Sequence, residues 1–261
     1  MGTQHKEDAL RKRHLVIPDT QVKPGAPLGC MTWAGRAILE YRPDVVIHIG
    51  DHWDMSSLNS YDSPLKMEKR RLIDDVKAGN DAMRELLRPL REYQRKHKRF
   101  NQYSPRLIFC MGNHENRIAR TIEKYPQILD GFVSTDILKL DDWEVQDFLT
   151  VIQIDGINYS HYFYNPDSGR PFGGTIENRL KNIGASFTQG HQQGLRYGIK
   201  PTVTGKTFHG LVCGSYYQHC EEYRGPQATN EWRGIVIKNE VQDGNYDIMP
   251  LSMDYLRRRF A

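Results

Sequence analysis

The sequence predicts an α/β fold with a parallel sheet at its centre. Three short apolar runs, at residues 14–18, 45–49 and 106–111, have the length and composition of buried strands. Segments with the apolar spacing of helices separate these runs. Each run is followed by a cluster of polar residues, at the edge where open α/β sheets place their ligands. The pattern therefore predicts a functional site at the carboxyl ends of these strands.

The first 50 residues have the pattern of a β-loop-α-β unit. His14–Pro18 is the first predicted strand, and a loop rich in Pro and Gly follows it. Residues Met31–Tyr41 carry helical spacing, and Pro43 marks the end of that helix. Val45–Ile49 is the second predicted strand. This order is typical of the start of a parallel sheet.

The middle of the chain predicts a long helix and a third strand. Apolar residues recur every three or four positions from about Leu65 to Phe100, and we expect Pro89 to kink or break this helix. Arg106–Met111 is the third strand, and a helix is predicted at Arg117–Lys124. Residues 126–149 give no clear periodicity, which leaves short helices and loops as the expectation.

The last hundred residues predict a second, hairpin-rich group of strands. Asp155-Gly156 joins two strand-like runs and has the sequence of a tight hairpin turn, and Asp243-Gly244 offers another. A helix is expected at 173–182, with strands at 185–188, 207–213 and 235–239. No repeat or linker interrupts the chain. We therefore expect a charged arm at residues 1–13 and a single domain at 14–261.

The composition limits which cellular compartment and which partners are expected. The chain has 261 residues and a formal net charge of +4, and no stretch reaches the roughly 18 apolar residues of a membrane helix. Residues 1–13 lack the apolar segment of a secretory signal. The four cysteines lie far apart, which suits a reducing compartment: Cys30, Cys110, Cys213 and Cys220. These features favour a cytoplasmic protein that does not bind membranes.

One basic stretch bears on the choice of partner. From Arg84 to Arg99 the chain has seven Lys or Arg residues and two Glu residues. Such a helix face can attract nucleic acid or a phosphorylated substrate. It can equally be an ordinary solvated surface. The sequence leaves both interpretations open.

Five predicted strand ends carry residues that could bind metal ions. Any one of them could be an ordinary cap or turn residue, but five clusters on strand ends favour a shared role. Carboxylate, amide and imidazole groups together suit a pair of divalent cations that share one carboxylate. The clusters are Asp19 with Gln21, Asp51 with Asp54, Asn113 with His114, His161 alone, and His191 with Gln193.

Residues 14–250 resemble the calcineurin-like metallophosphoesterases, and the chain is similar to phage-encoded members of that family. The motifs that carry the resemblance are Asp19-x-Gln21, Gly50-Asp51-x-x-Asp54, Gly112-Asn113-His114-Glu115, His161 and Gly190-His191-x-Gln193. The resemblance implies a two-sheet αββα sandwich with its site at the strand ends. For a phage-encoded protein it also implies the cytoplasm of the host cell.

The resemblance also implies a role for each matching residue. Asp51 is expected to bridge two metals, with Asp19 on the first. The second metal would be bound by three further side chains: Asn113, His161 and His191. His114 is the expected general acid for the leaving-group oxygen, and Asp54 is expected to orient it. Arg117, and also His52, could contact a phosphate oxygen.

Two positions depart from the family pattern. Gln21 and Gln193 stand where the family usually has His, and both would be ligands of the first metal. If they bind, the first site has only oxygen ligands, whereas the second keeps two imidazoles. Because oxygen ligands favour Mn²⁺ or Mg²⁺, we expect Mn²⁺ dependence with a weaker first site; Zn²⁺ and Fe also suit imidazoles. The alternative is that the first site is lost.

Three functions remain open at this stage. A phosphodiesterase or nuclease would use the basic stretch and the aromatic segment Tyr159–Tyr164 to bind DNA, RNA or a nucleotide. A phosphomonoesterase acting on nucleotides or phosphoproteins would need only the metal pocket and Arg117. A binding module with a single metal would need neither His114 nor Asp54, so their presence favours an enzyme. The sequence makes no prediction of the oligomeric state.

Overall fold

The computed structural model describes residues 11–60, 62–97, 102–219 and 231–261. Most of the predicted N-terminal arm (residues 1–10), Cys220 and the last two residues of the basic stretch lie outside the described residues. Lys12 and Arg13, which were predicted to belong to the arm, form the start of the first strand. The described domain therefore begins earlier than its apolar pattern indicates.

The strands and helices follow in chain order. The strands are β1 (Lys12–Ile17), β2 (Val45–His48), β3 (Arg106–Cys110), β4 (Glu144–Gln146), β5 (Ile152–Ile154), β6 (Ile157–Tyr159), β7 (Phe187–Gln189), β8 (Leu195–Pro201), β9 (Thr207–Cys213), β10 (Gly234–Gln242) and β11 (Asn245–Ser252). The α-helices are α1 (Gly29–Tyr41), α2 (Pro64–Met67), α3 (Leu72–Lys96), α4 (Asn116–Lys124), α5 (Pro126–Leu129), α6 (Ile176–Ile183) and α7 (Met253–Phe260). Short 3-10 turns lie at Ser56–Leu58 and Thr135–Ile137.

The strands form two mixed sheets. The first has the order β11-β10-β1-β2-β3-β4. Strands β1 to β4 run parallel to one another, β10 pairs antiparallel with β1, and β11 pairs antiparallel with β10. The second has the order β5-β6-β7-β9-β8, with β6, β7 and β9 parallel. The predicted α/β class is confirmed. Both predicted Asp-Gly hairpins are confirmed, as β5–β6 and β10–β11.

The hydrophobic core lies in three layers. Side chains of both sheets pack together in the middle layer, where Val16 and Ile47 of the first sheet meet Tyr159 and Leu211 of the second. The other face of the first sheet packs against α1, α3 and α7. The outer face of the second sheet packs against α6. This arrangement is compatible with the predicted two-sheet sandwich.

The long predicted helix differs from expectation. Helix α3 starts at Leu72 and continues through Pro89 to Lys96, so the predicted break at Pro89 is wrong. The Pro89 ring packs against α1 at Gly35, where a side chain would overlap it. This packing offsets the loss of the backbone hydrogen bond that proline cannot make. No helix in the described ranges has the length and apolar character needed to cross a bilayer.

Candidate metal centre

The predicted site residues follow the ends of parallel strands in both sheets. Asp19 comes after β1, Asp51 after β2 and Asn113 after β3. His161 comes after β6 and His191 after β7 in the second sheet. Since parallel strands end at the same edge of a sheet, each sheet presents its residues at one edge. Contacts between the two groups show that the two edges meet.

Unusual backbone angles and closely packed glycines shape the loops that carry these residues. Gln21, Asp51 and His191 adopt positive φ angles of 38°, 49° and 64°, a left-handed conformation that is uncommon outside glycine. A side chain at Gly112 would overlap Oδ1 and the backbone nitrogen of Asp51. Gly190 similarly leaves room for Oδ1 of Asp19. The glycines of the predicted motifs therefore allow the carboxylates to approach the neighbouring loops closely.

Four side chains converge on one buried point. Asp51, His161 and His191 each offer a ligand atom within 4.8 Å of the others. Oδ1 of Asn113 lies 3.0 Å from Nε2 of His161 and 2.8 Å from Nδ1 of His191. Nε2 of His161 is 3.3 Å from Oδ2 of Asp51. This cluster of Asp and His residues could hold a metal ion, and it contains the residues predicted for the second metal.

The orientation of His161 suits a metal ligand. Its Nδ1–H donates a hydrogen bond to the carbonyl oxygen of Ile49 at 2.8 Å, which directs Nε2 toward Asp51. Burial acts to lower the pKa of His161, but the charges of Asp51 and Asp19 and the hydrogen bonds to Asp51 and Ile49 together raise it to about 10. A cation bound by Nε2 of His161 would have to displace the proton that this raised pKa favours.

The carboxylate of Asp51 remains ionised in this setting. Burial alone would raise the pKa of Asp51, but the neighbouring His114 and His161 outweigh burial and hold the pKa well below its usual range. The backbone N–H of His114 also donates to Oδ1 of Asp51 at 2.9 Å. A permanently charged carboxylate at the centre of the cluster is the group expected to attract a cation.

Two buried oxygen atoms belong to residues predicted for the first metal. Oδ2 of Asp19 and Oε1 of Gln21 have no hydrogen-bond partner among the described residues. Buried acceptors without partners are costly, and a bound cation would satisfy them. Burial, supported by the charge of Asp51, raises the pKa of Asp19 to about 7. These two residues therefore fit the predicted first metal.

Gln193 has a partner within the protein. Its Oε1 accepts a hydrogen bond from the hydroxyl of Tyr217, and its side chain is buried. The bond uses one of the two lone pairs of the amide oxygen and fixes the orientation of the side chain. Tyr217 was not predicted as part of the site, since it lies 24 residues away along the chain.

Glu115 connects the loops that follow β2 and β3. Its fully buried carboxylate accepts hydrogen bonds from four backbone N–H groups, at distances of 2.6–3.0 Å. The donors belong to Asp51, His52, Trp53 and Gly112. Glu115 was part of the predicted motif but had no predicted role. Its position next to His114 in that motif was the only signal in the sequence.

His114 is oriented through Nδ1, as predicted, although the main partner is a backbone atom. Nδ1–H donates to the carbonyl oxygen of Asp54 at 2.7 Å, whereas Oδ1 of the Asp54 carboxylate is 3.4 Å away. Nε2 then faces the cluster of Asp and His side chains, 3.8 Å from Oδ2 of Asp51. Burial acts to lower the pKa of His114, but Asp51 and Asp54 together raise it. His114 is thus able to carry a proton near the cluster.

Arg117 lies beside His114. Its guanidinium donates to the carbonyl oxygens of Asp54 at 2.8 Å and Met55 at 3.1 Å. Nη2 is 3.1 Å from Nε2 of His114. The guanidinium of Arg117, whose predicted phosphate contact stays a prediction, therefore lies beside His114.

His52 does not reach the site, so its predicted phosphate contact is wrong. The side chain is completely buried. Nδ1 pairs with the hydroxyl of Thr20 at 2.7 Å, and Nε2 with the carbonyl oxygen of Gly79 at 2.9 Å. Burial lowers the pKa of His52 to about 4. A neutral ring with both nitrogens occupied has no atom left for a substrate.

The described end of the basic stretch, up to His97, lies away from the cluster. Gln94 donates to the carbonyl oxygen of Tyr103, whose hydroxyl donates to the carbonyl oxygen of Pro43 just before β2. The end of α3 therefore lies at the amino ends of the parallel strands, opposite the site. Arg88 also pairs with Glu85 at 3.0 Å. The described residues at the end of α3 therefore do not contribute their charge to the cluster itself.

The aromatic segment also differs from its predicted use. Tyr159 and Phe163 belong to the hydrophobic core and cannot stack on a substrate. The ring of Tyr162 lies 4.9 Å from that of His191, and Tyr164 is exposed. Tyr162 therefore lies at the rim of the cluster.

No protein-family model matches the chain, and no curated protein matches its sequence. The resemblance to the metallophosphoesterases therefore stays a prediction. Its support is the geometry of the strand-end residues, which brings together the side chains predicted for the second metal. The same geometry also places the predicted proton donor against them.

Proposed function

We propose that this chain is a metal-dependent phosphoesterase of the calcineurin-like type, which hydrolyses phosphate esters with an activated water molecule. The observation that carries the proposal is that a set of possible metal ligands and a possible proton donor lie next to each other at the strand ends. Asp51, Asn113, His161 and His191 form a ligand set, and His114 faces it with a fixed ring orientation. A structural cation site alone would not need His114.

The ligand set fits divalent cations. Nε2 of His161 is available because Nδ1–H is bonded to Ile49, and two buried acceptors, on Asp19 and Gln21, lack partners in the described chain. We assign two sites: Asp19, Gln21 and Asp51 to the first, with Gln193 held beside them by Tyr217, and Asp51, Asn113, His161 and His191 to the second. The oxygen-rich first site favours Mn²⁺ or Mg²⁺. Bound divalent cations would polarise the phosphoryl group and make water a stronger nucleophile near neutral pH.

The residues of the chain supply the proton transfer. Water adds its oxygen to phosphorus while the bond from phosphorus to the leaving oxygen breaks, with its electron pair on that oxygen. Nε2 of His114 gives a proton to the leaving oxygen, and the carbonyl oxygen of Asp54 holds Nδ1–H throughout. The proton lost by the attacking water passes to solvent, and His114 regains one from solvent.

Arg117 has a second role in this scheme. In the absence of substrate its Nη2 is hydrogen-bonded to Nε2 of His114. A phosphate oxygen would replace His114 as the acceptor, which frees Nε2 to carry the proton. Substrate binding and proton loading of His114 are therefore coupled.

Hydrolysis of bis-p-nitrophenyl phosphate and p-nitrophenyl phosphate, with Mn²⁺ or with chelator, tests the proposal. We expect Mn²⁺-dependent turnover with a preference for the diester. His161→Ala should abolish it, whereas His97→Ala, an exposed histidine of the far edge, should not. Absence of metal-dependent turnover of either ester would leave a metal-binding module as the better description.

A further inference from the structure

Helix α6 carries an arginine on the face that packs against the second sheet. Its buried residues are Ile176, Arg179 and Leu180, which have the spacing of a single helix face. Ile176 and Leu180 belong to the apolar layer beneath the helix, whereas Arg179 brings a charge to the same face. Only 1% of its surface is exposed. An arginine breaks the usual pattern of a core-facing helix, and such exceptions are expected at functional sites.

The charge of Arg179 is not balanced within the described part of the chain. No carboxylate there pairs with its guanidinium, and burial and the neighbouring charge of Arg196 both lower its pKa. Among the described residues Nε and Nη1 have no hydrogen-bond partner, and each has less than 1 Å² of accessible area. This packing leaves no space at these two atoms for water or a ligand. An unpaired buried cation is costly for the fold, so the contacts that Arg179 does make are informative.

The contacts of Arg179 are made by Nη2. This atom donates to Oε1 of Gln192 at 2.6 Å and, less closely, to the carbonyl oxygen of Gly174 at 3.4 Å. Because a guanidinium can only donate, the amide of Gln192 turns its oxygen toward Arg179. Gln192 directly follows His191 in the loop after β7. The bond therefore joins α6 to the loop that carries a proposed ligand of the second metal.

The backbone of His191 needs such support. Its φ of 64° is a strained, left-handed conformation for a residue other than glycine, which persists only where the surroundings hold it. The N–H of His191 donates to Oδ1 of Asp19 at 3.1 Å, and the N–H of Gly190 donates to the carbonyl oxygen of His161 at 3.0 Å. Both bonds lead to other proposed metal ligands. Arg179, in contrast, holds the loop from outside the metal centre.

We propose that Arg179 is a positioning residue for the second metal, which acts through Gln192 to hold His191 in its binding conformation. The inference rests on the proposed function, in which His191 binds that metal, and deepens it. Tyr217 holds Gln193 of the same loop in a comparable way. The two glutamines that follow His191 are thus held by different parts of the chain, one by α6 and one by the segment after β9.

Calorimetric titration of Gln192→Ala with Mn²⁺ tests the inference first. The variant removes the acceptor and leaves the charge of Arg179 in place. We expect the tighter Mn²⁺ dissociation constant, assigned to the site with two imidazoles, to rise about tenfold, as for other residues that orient metal ligands. Gln127→Ala, at an exposed position of α5, is the matched control and should leave this constant unchanged. An unchanged constant in Gln192→Ala would overturn the inference.

A double-mutant cycle tests whether Arg179 acts through Gln192. Arg179→Met removes the guanidinium and keeps an apolar chain, and Lys181→Met removes a charge from the exposed face of the same helix. Loss of a nearby positive charge would by itself favour a cation, so weaker Mn²⁺ binding reports lost positioning. We expect Arg179→Met to weaken Mn²⁺ binding about tenfold in the wild type and not further in Gln192→Ala. Lys181→Met should have no effect.

Independent action would overturn the inference. The two tenfold losses would then multiply to about a hundredfold in the double variant. Gln192→Ala changes a partly exposed position and decides the inference by itself if Arg179→Met does not fold.

Turnover separates positioning from a purely structural role. With bis-p-nitrophenyl phosphate, Gln192→Ala should need about tenfold more Mn²⁺ for half its maximal rate and should reach the wild-type kcat at saturation. A rate lowered equally at every Mn²⁺ concentration would show general destabilisation and contradict the inference. A wild type that binds no Mn²⁺ would contradict the proposed function and this inference together. Mn²⁺-dependent turnover that is the same in the wild type and in Gln192→Ala would contradict the role of Arg179 alone.

Discussion

The carboxylate of Glu115 accepts the backbone N–H of Asp51 at 2.9 Å, and this bond joins the loop that carries the proposed bridging ligand to the loop that carries His114. Oε2 of Glu115 also accepts the N–H of Gly112 at 2.8 Å, and Oε1 accepts those of His52 and Trp53. One buried side chain thus sets the positions of two predicted motifs.

Glu115→Gln should destabilise the fold and loosen the metal centre. The amide replaces one acceptor oxygen by a donor, which then faces backbone N–H groups. We expect a loss of about 3 kcal/mol in the free energy of unfolding, measured by urea denaturation. Glu123→Gln, at an exposed position of α4, serves as the control and should change little. Equal stability of the two variants would contradict the role of Glu115.

Gly112→Ala should weaken metal binding. A Cβ atom at this position overlaps Oδ1 and the backbone nitrogen of Asp51, so the carboxylate must move. We expect a cost of about 2 kcal/mol in stability and a clear loss of Mn²⁺ affinity by calorimetry. Gly173→Ala is the matched control, because a Cβ there meets no atom within 4 Å. Unchanged Mn²⁺ affinity in Gly112→Ala would show that Asp51 is free to adjust.

Asp51→Asn and Gln21→Ala should differ in metal content. Asp51 is assigned to both sites, so Asp51→Asn should lose nearly all bound metal after dialysis. Gln21→Ala removes an oxygen only from the first site and should retain about one metal ion per chain. Elemental analysis of both variants beside the wild type provides the measurement. A wild type that never exceeds one metal ion per chain would contradict the two-site assignment.

His14 should make the fold less stable in mild acid. Burial and the charge of Lys238 lower its pKa to about 4, against opposing effects of Asp155 and Asp44. Nδ1 also pairs with the hydroxyl of Tyr159 at 2.7 Å. Because the unfolded chain binds the proton more tightly, this stability is present above pH 6.5 and is lost as the pH falls toward 4.

Urea denaturation of the wild type and His14→Gln across that range isolates the effect. The free energy of unfolding should fall by up to about 3 kcal/mol more in the wild type between pH 6.5 and 4. All other titrating groups are shared by the two proteins. Parallel pH profiles would show that His14 is not held in its neutral form.

The sequence predicted that Asp51, His161 and His191 lie close together, and it could do so because the signals are local. When a polar residue follows a buried strand closely, the local sequence alone indicates that it lies at the carboxyl end of that strand. Asp51, Asn113 and His161 are examples. The phosphate contact predicted for His52 was wrong. Side chains of consecutive residues in an extended segment point to opposite sides of the chain. With Asp51 in the site, this alternation would have placed His52 toward the core, where it lies, and not toward the phosphate that was predicted.

Other features depend on contacts between distant segments. The bond from Tyr217 to Gln193 and the packing of Pro89 against Gly35 leave no local trace in the sequence. Strand β8 was also not predicted, although Leu195, Tyr197 and Ile199 alternate with other residues as in a strand. Its run begins just after the His191 motif and ends at Pro201, which obscured the pattern.

The most direct test of the phosphoesterase is the effect of His114→Ala on two substrates at equal metal content. The leaving group of bis-p-nitrophenyl phosphate departs without a proton, whereas the alkoxide of the dinucleotide TpT needs one. We predict that His114→Ala lowers kcat/KM about 10²–10⁴-fold on TpT and far less on bis-p-nitrophenyl phosphate. Equal losses on the two substrates, or no loss on TpT, would contradict a proton donor at the metal centre.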